Sequence, residues 1–312
     1  MSQGDFIVFG GTASPSLTEA VAGALGVRVG EATVHRHPDG ELAVDIQQPV
    51  RRKDVFIVQS TSPPVNDHLV ELLALADACR RASAAHVAAI IPYFGYARSD
   101  KRHGRREPIA ASMVADLLQA VGVNQVVTVD LHSPQIEGFF QVPVDSLTAV
   151  PVLCEALRSR VPEGTVVVSP DAGRVKMATQ YAQRLRTSVV VLHKQRTSGA
   201  DTRVTHVVGD VHDRTCLIVD DMVSTGGTIV EAIGALRRAG ARPCMFVAAT
   251  HGLLLEDAPK LLAHDALAEL VITDTVERRG RAPAKLRVVS VAPLLAGTIQ
   301  RVMADGSLSD LC

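Results

Sequence analysis

Ten short apolar runs rich in β-branched residues recur along the chain: DFIVFGG, KDVFIVQS, HVAAIIPYF, QVVTVDLH, TVVVSPD, SVVVLHK, TCLIVDD, CMFVAATHG, ELVITDT and LRVVSV. Each is an apolar block of about 4 to 8 residues bounded by Gly, Pro or Asp, the pattern of a strand buried on both faces. Helical periods lie between many of them. From Asn66 to Ala82, Leu69, Leu72, Leu73 and Ala76 fall at i, i+3, i+4 and i+7 and make one apolar stripe. PIAASMVADLLQAVG opens with Pro108 in its first turn and closes near Gly122, and GTIVEAIGALRRAG and APLLAGTIQRVMAD follow the same rule. Strand–helix alternation of this kind predicts an α/β fold of mainly parallel sheets flanked by helices.

At 312 residues the chain has room for roughly two domains. No low-complexity tract or long linker marks the boundary, so content places it near Ala149. The first domain is expected over residues 1–148 with the final helix from 292 returning to it through 312, and the second over 149–291. A strand ending VTVDLH in the first half is echoed by LIVDD in the second.

Charge narrows the partners. Lys and Arg total 32 against 33 Asp and Glu, which removes the electrostatic case for a nucleic-acid or membrane-surface binder. Aromatics are 3% with no Trp, too few for a base-stacking platform. No run approaches the roughly 18 to 20 apolar residues of a membrane span. The start, MSQGDFIVFGG, lacks a basic leader, so a cytoplasmic location is expected. Cys79, Cys154, Cys216, Cys244 and Cys312 are too widely spaced for a zinc or redox motif and read as mostly buried hydrophobes.

The polar residues that stand out come just after the apolar runs: Tyr93 to Arg106, Asp130 to Gln135, Ser169 to Arg174, Lys194 to Arg196 and Asp220 to Thr228. Ligands of open α/β sheets bind beyond the carboxyl ends of the strands, so these clusters are expected to share one sheet edge. CLIVDDMVSTGGTIVEA is the sharpest of them. A buried strand ends in Asp220 and Asp221, and Ser224-Thr225-Gly226-Gly227-Thr228 turns into a helix. Glycine amides, three hydroxyls and a helix N-terminus make a monophosphate cradle. The paired carboxylates suit sugar hydroxyls or a divalent cation. Phosphate at one end and a diol at the other describe a ribose phosphate.

That motif resembles the phosphoribosyl-diphosphate signature of phosphoribosyltransferases and ribose-phosphate pyrophosphokinases. HPDGE (37–41), IPYFGYARSDKR (91–102), VDLHSPQIEGFF (129–140), VVSPDAGR (167–174) and the terminal LLAGTIQRVMADGSLSDL resemble the pyrophosphokinase family in order and approximate spacing. The resemblance implies two similar phosphoribosyltransferase-like domains, the first on the nucleotide side and the second binding ribose phosphate. It also implies transfer of the diphosphoryl group of MgATP to the anomeric hydroxyl of ribose 5-phosphate. On this resemblance Lys194 and Arg196 are the catalytic pair, on an arm whose Thr197 to Thr202 stretch reads as a loop. Arg196, Asp220, Asp221, Ser224, Thr225, Gly226, Gly227 and Thr228 take ribose 5-phosphate. His37, Asp39, Gly40, Glu41, Arg98, Ser99 and Asp100 take ATP, while His132 and Asp171 hold Mg²⁺ or its water shell. The Asp-Gly-Glu segment of the family reaches a neighbouring subunit's nucleotide, which implies a homo-oligomer built on dimers, as large as a hexamer. Asp130 is expected to support its loop, and Lys101, Arg102, Arg105 and Arg106 extend the basic run begun by Arg98.

Five positions depart from the common form of the family: His37 for Phe, Ser99 for Gln, Arg174 for Gly, Gln195 for Arg and Ser224 for Asp. They bear on nucleotide choice and rate rather than on reaction type. The family's phosphate and ADP control site is only partly traceable, through Arg51 and Ser83, and the sequence carries no prediction about feedback inhibition. Two other readings are a non-catalytic regulatory relative and a nucleobase phosphoribosyltransferase.

Overall fold

A computed structural model describes residues 6–312 apart from 103, 199–200, 256–257 and 279, with the side chains of 194–205 also outside the described set. In chain order the strands and helices are β1 (Phe6–Gly10), α1 (Pro15–Leu25), β2 (Ala32–Arg36), β3 (Leu42–Ile46), β4 (Asp54–Val58), α2 (Val65–Arg81), β5 (His86–Ile91), α3 (Ala110–Ala120), β6 (Gln125–Val129), β7 (Val144–Leu147) and α4 (Val150–Arg158). Then come β8 (Val166–Ser169), α5 (Val175–Leu185), β9 (Val189–Ser198), β10 (Asp201–Val208), β11 (Cys216–Val223), α6 (Gly227–Arg238), β12 (Met245–Gly252), α7 (Ala258–Leu262), β13 (Leu267–Thr273), β14 (Leu286–Val289) and α8 (Ala292–Met303).

The chain divides into two compact units. Unit 1 comprises Met1–Thr148, Thr275–Glu277 and Ser290–Cys312, and unit 2 comprises Ala149–Asp274 and Arg278–Val289. Unit 1 is built on a five-stranded, all-parallel sheet in the order β1-β4-β5-β6-β7. Its core joins Phe9, Ile57 and Ile91 of the sheet to Leu72 and Leu75 of α2 and Leu118 of α3. Each such side chain, fully buried, contributes about 1.5–3 kcal/mol. Helix α8 packs against α1.

Unit 2 holds a seven-stranded sheet in the order β10-β9-β8-β11-β12-β13-β14, parallel except for the antiparallel edge pair β9–β10. Its central strand β11 is buried along all eight residues, which is why its sequence reads as an unbroken apolar run rather than an alternation. Ile218 from β11, Val168 from β8, Ile233 from α6 and Leu270 from β13 share the core of this unit.

All ten apolar runs form strands. Four further strands, β2, β3, β7 and β10, escaped that pattern because they are half exposed or lie at sheet edges. The antiparallel pair β2–β3 flanks the Asp39-Gly40 turn with register Arg36↔Leu42, and Asp-Gly between alternating residues is a hairpin signal. The arm after Leu192 also corrects the sequence reading. Thr197–Ser198 and Asp201–Thr202 lie in strands, so Lys194 and Arg196 belong to a ribbon in which Val204 pairs Lys194 and Thr202 pairs Arg196. The loop-like composition of TSGADT concealed it, since Gly and Asp are depleted in strands.

Candidate active site

The polar clusters fall on two sheets rather than one. Those at Tyr93 and Asp130 follow β5 and β6 in unit 1, and the other three belong to unit 2. Within unit 2, Asp220 and Asp221 lie inside β11 rather than beyond it, because pairing with β12 continues to Val223↔Gly252.

The strand–turn–helix at the end of β11 is laid out as a cradle. Val223 and Ser224 are held through their carbonyls, which accept from the N–H groups of Leu254 and Leu255 at 3.1 and 2.9 Å. Gly226 then takes a left-handed conformation, φ 84°, and α6 starts at Gly227 with no side-chain cap. A helix that starts uncapped presents N–H groups and the positive end of its dipole. The two glycines do different work. A Cβ at Gly226 would fall 2.9 Å from the Leu261 Cβ in a conformation that L-residues avoid, so this glycine makes the turn. A Cβ at Gly227 would meet only the Thr225 Oγ1, at 3.8 Å. Its lack of a side chain leaves room over the helix N-terminus, where Thr225, Gly227 and Thr228 are exposed.

Beside the cradle the two carboxylates are nearly sealed, with side-chain exposures of 12% for Asp220 and 2% for Asp221. Arg174 lies against both. Its Nε is 3.3 Å from Asp220 Oδ1 and its Nη2 is 3.1 Å from Asp221 Oδ1. The Asp221 N–H also donates to Asp220 Oδ1 at 2.9 Å. Burial, and then the charge of Asp221, push the Asp220 carboxyl well above the usual carboxylate range, with Arg174 opposing them. Breaking a buried pair of this kind typically costs about 3–5 kcal/mol, so Arg174 carries much of the local electrostatics. The sequence marked it only as a departure. The signal lay in a cation three residues after the Asp171 that follows a buried strand.

Asp171 closes the same neighbourhood. Its Oδ1 accepts from the N–H groups of Gly173 and Arg174 at 2.8 and 3.2 Å, and its carbonyl accepts from Ser169 Oγ at 2.7 Å. It thus caps the short helical turn Ala172–Arg174 that delivers the arginine. A carboxylate has about four acceptor sites, so this cap orients Asp171 without exhausting it. That donor set fits Mg²⁺, which takes one or two protein carboxylates and fills its shell with water and phosphate oxygens. Among the described residues no three His, Cys, Asp or Glu side chains cluster as a metal cage. Lys194 and Arg196 stand on β9, with side chains outside the described residues.

In unit 1, His37, Asp39, Gly40 and Glu41 are exposed at the tip of the β2–β3 hairpin. The tip is rigidly tied: His37 N–H donates to the Glu41 carbonyl at 2.8 Å, Glu41 N–H to Asp39 Oδ1 at 3.1 Å, and Arg36 to the Gly40 carbonyl at 3.1 Å. The His37 ring stands edge-on to His35 at 5.3 Å. Arg98 is exposed after β5, with Asp100 half-buried nearby in sequence. Ser99 works inward. Its Oγ accepts from the Ala110 N–H at 3.2 Å and its carbonyl from Ala111 N–H at 3.2 Å, so it anchors the start of α3. His132 is half-buried after β6. Asp130, at φ 40°, accepts from Thr148 Oγ1 at 2.9 Å and ties its loop to the neighbouring one.

Comparison with known proteins fits this arrangement. Residues 6–122 match the N-terminal domain of ribose phosphate pyrophosphokinase, and residues 196–312 the phosphoribosyl synthetase-associated domain. The chain is 44% identical over 310 residues to the ribose-phosphate pyrophosphokinase of Haemophilus influenzae, covering 98% of each chain. The chain belongs to the ribose-phosphate pyrophosphokinase family. The Thermotoga maritima enzyme of that name is 43% identical, covering 97% of each chain. The crystal structure of phosphoribosylpyrophosphate synthetase from Mycobacterium smegmatis superposes with a TM-score of 0.90 at 42% identity, covering 97% of this chain and 100% of that one. Matches of pyrophosphokinases over nearly the whole length favour neither a nucleobase phosphoribosyltransferase nor a non-catalytic relative. Among the described residues no helix is long and apolar enough to cross a membrane.

Proposed function

We propose that this chain is a ribose-phosphate diphosphokinase, converting MgATP and ribose 5-phosphate to phosphoribosyl diphosphate and AMP. The observation that carries the reading is the continuity of β11, the glycine turn and α6, which sets two buried carboxylates beside an uncapped helix N-terminus. The N–H groups of Thr225, Gly227 and Thr228 with the Ser224, Thr225 and Thr228 hydroxyls take the 5-phosphate. Asp220 and Asp221 accept hydrogen bonds from the ring hydroxyls and so fix the orientation of the anomeric carbon.

In the reaction the anomeric oxygen bonds to the β-phosphorus of ATP, the bond from that phosphorus to the α,β-bridging oxygen breaks with its electron pair staying on AMP, and the hydroxyl proton passes to water. Charge accumulates on the β-phosphoryl oxygens and on the departing AMP, so positioning and fixed cations do most of the work. Lys194 and Arg196 supply those cations from β9, and Arg196 also meets the sugar phosphate. His37, Asp39, Gly40, Glu41, Arg98 and Asp100 hold the nucleotide, and Ser99 holds the helix beside them. Mg²⁺, for which Asp171 offers a carboxylate and His132 a ring nitrogen to a water shell, would neutralise phosphate charge as ATP binds. The exposed hairpin tip at 37–41 serves a neighbouring copy's nucleotide, which makes the working form a homo-oligomer, and the enzyme acts in the cytoplasm.

Incubation with Mg²⁺, ATP and ribose 5-phosphate should release AMP and phosphoribosyl diphosphate in equal amounts. No AMP across several nucleotides and activating phosphate concentrations would refute the proposal.

A further inference from the structure

Buried carboxylates are poor partners for an anionic sugar phosphate unless something offsets their charge. Asp220 and Asp221 are adjacent, nearly inaccessible and bridged by one guanidinium. Arg174 itself is only 16% exposed, and it is delivered by a turn whose two N–H groups are fixed on Asp171. Its ion pairs run to Asp220 Oδ1 at 3.3 Å and to Asp221 Oδ1 at 3.1 Å, so one side chain fixes both carboxylates.

We propose that Arg174 is a positioning residue for ribose 5-phosphate: it holds the Asp220 and Asp221 carboxylates aligned and half-neutralised so that they accept the sugar's vicinal hydroxyls. The inference rests on the diol role of the two aspartates. Arginine suits the task because its planar fork touches two carboxylates at once, which a lysine ammonium does less well. Arg174 remains bound when the sugar enters and does not contact the transferring group. Its loss therefore acts on sugar affinity more than on turnover.

The test is calorimetric titration of ribose 5-phosphate, without ATP, into the full-length protein and into Arg174→Met and Arg174→Lys. Steady-state KM and kcat are measured alongside. Arg174→Met, close in length but uncharged, should weaken ribose 5-phosphate at least tenfold in Kd and KM while kcat falls less than threefold. Arg174→Lys should recover part of that loss. Equal or tighter binding in Arg174→Met would overturn the inference, since it would make the arginine a bystander or an occupant the sugar must expel. A matching fall in kcat with unchanged KM would overturn it too. If Arg174→Met does not fold, the Lys variant decides alone: affinity equal to the parent's refutes the bidentate role, and a several-fold loss with kcat kept supports it. Failure of the parent protein to bind ribose 5-phosphate at all would instead count against the functional assignment.

Discussion

Gly227→Ala separates the ligand role of the glycine turn from its structural role, because the two effects have opposite signs. Gly227 is the first residue of α6 and its added Cβ meets nothing closer than 3.8 Å. Replacing glycine by alanine where the backbone tolerates it stabilises the fold by about 0.4–1 kcal/mol through the unfolded chain. For a unit of this size that is a rise in Tm of about 1–4 °C. The same methyl occupies the space over the helix N-terminus assigned to the 5-phosphate. A phosphate pushed out of reach of one N–H loses a charge-assisted bond worth about 1.5–3 kcal/mol, roughly a 10- to 100-fold rise in Kd. Gly226→Ala makes the contrast. Its φ of 84° and the 2.9 Å approach to Leu261 should destabilise the protein by about 1–2 kcal/mol from backbone conformation alone. Thermal unfolding and calorimetric titration with ribose 5-phosphate measure both effects. A Gly227→Ala protein that binds the sugar phosphate as tightly as its parent would refute the cradle.

Three further outcomes are expected. Lys194→Ala should lower kcat about 10²–10³-fold, the usual effect of deleting one preorganised donor, while leaving the Kd for ribose 5-phosphate nearly unchanged in direct titration. Asp220 has a raised pKa in the fold, so the native state holds its proton more tightly than the unfolded chain and stability falls as pH rises from about 4. Asp220→Asn should therefore have a higher Tm than the parent at pH 7–8, with the gain shrinking toward pH 4, yet bind ribose 5-phosphate more weakly. Burial pushes the Cys79, Cys154 and Cys216 thiols up to about 12, whereas Cys244 and Cys312 are exposed. A thiol reagent at pH 8 should label two cysteines in the native protein and all five after denaturation.

How far the sequence reached depends on burial. Every strand covered on both faces announced itself as an apolar run, and β11 with its double aspartate is the best example, because Asp is so unfavourable there that its presence demands a role. Half-exposed pieces did not. The β2–β3 hairpin has the weak alternation of an edge, with only its Asp39-Gly40 turn to mark it. The β9–β10 ribbon was hidden by TSGADT, whose Gly and Asp suggest a loop, although Ser198 pairs Asp201 and Arg196 pairs Thr202. The pairing of Arg174 with Asp220 and Asp221 joins residues 46 and 47 positions apart along the chain, a contact that β8–β11 pairing creates and local spacing does not reveal. Ser99 marks another limit: its motif pointed to nucleotide, and only the fold shows that its hydroxyl also accepts from the start of α3.

A crystal of the full-length protein soaked with ribose 5-phosphate tests the central claim most directly. The account predicts phosphate density within hydrogen-bond distance of the Gly227 and Thr228 N–H groups, with the ring hydroxyls on Asp220 and Asp221 and Arg174 still in place. Sugar phosphate bound elsewhere, with the start of α6 filled by the protein's own side chains, would contradict it.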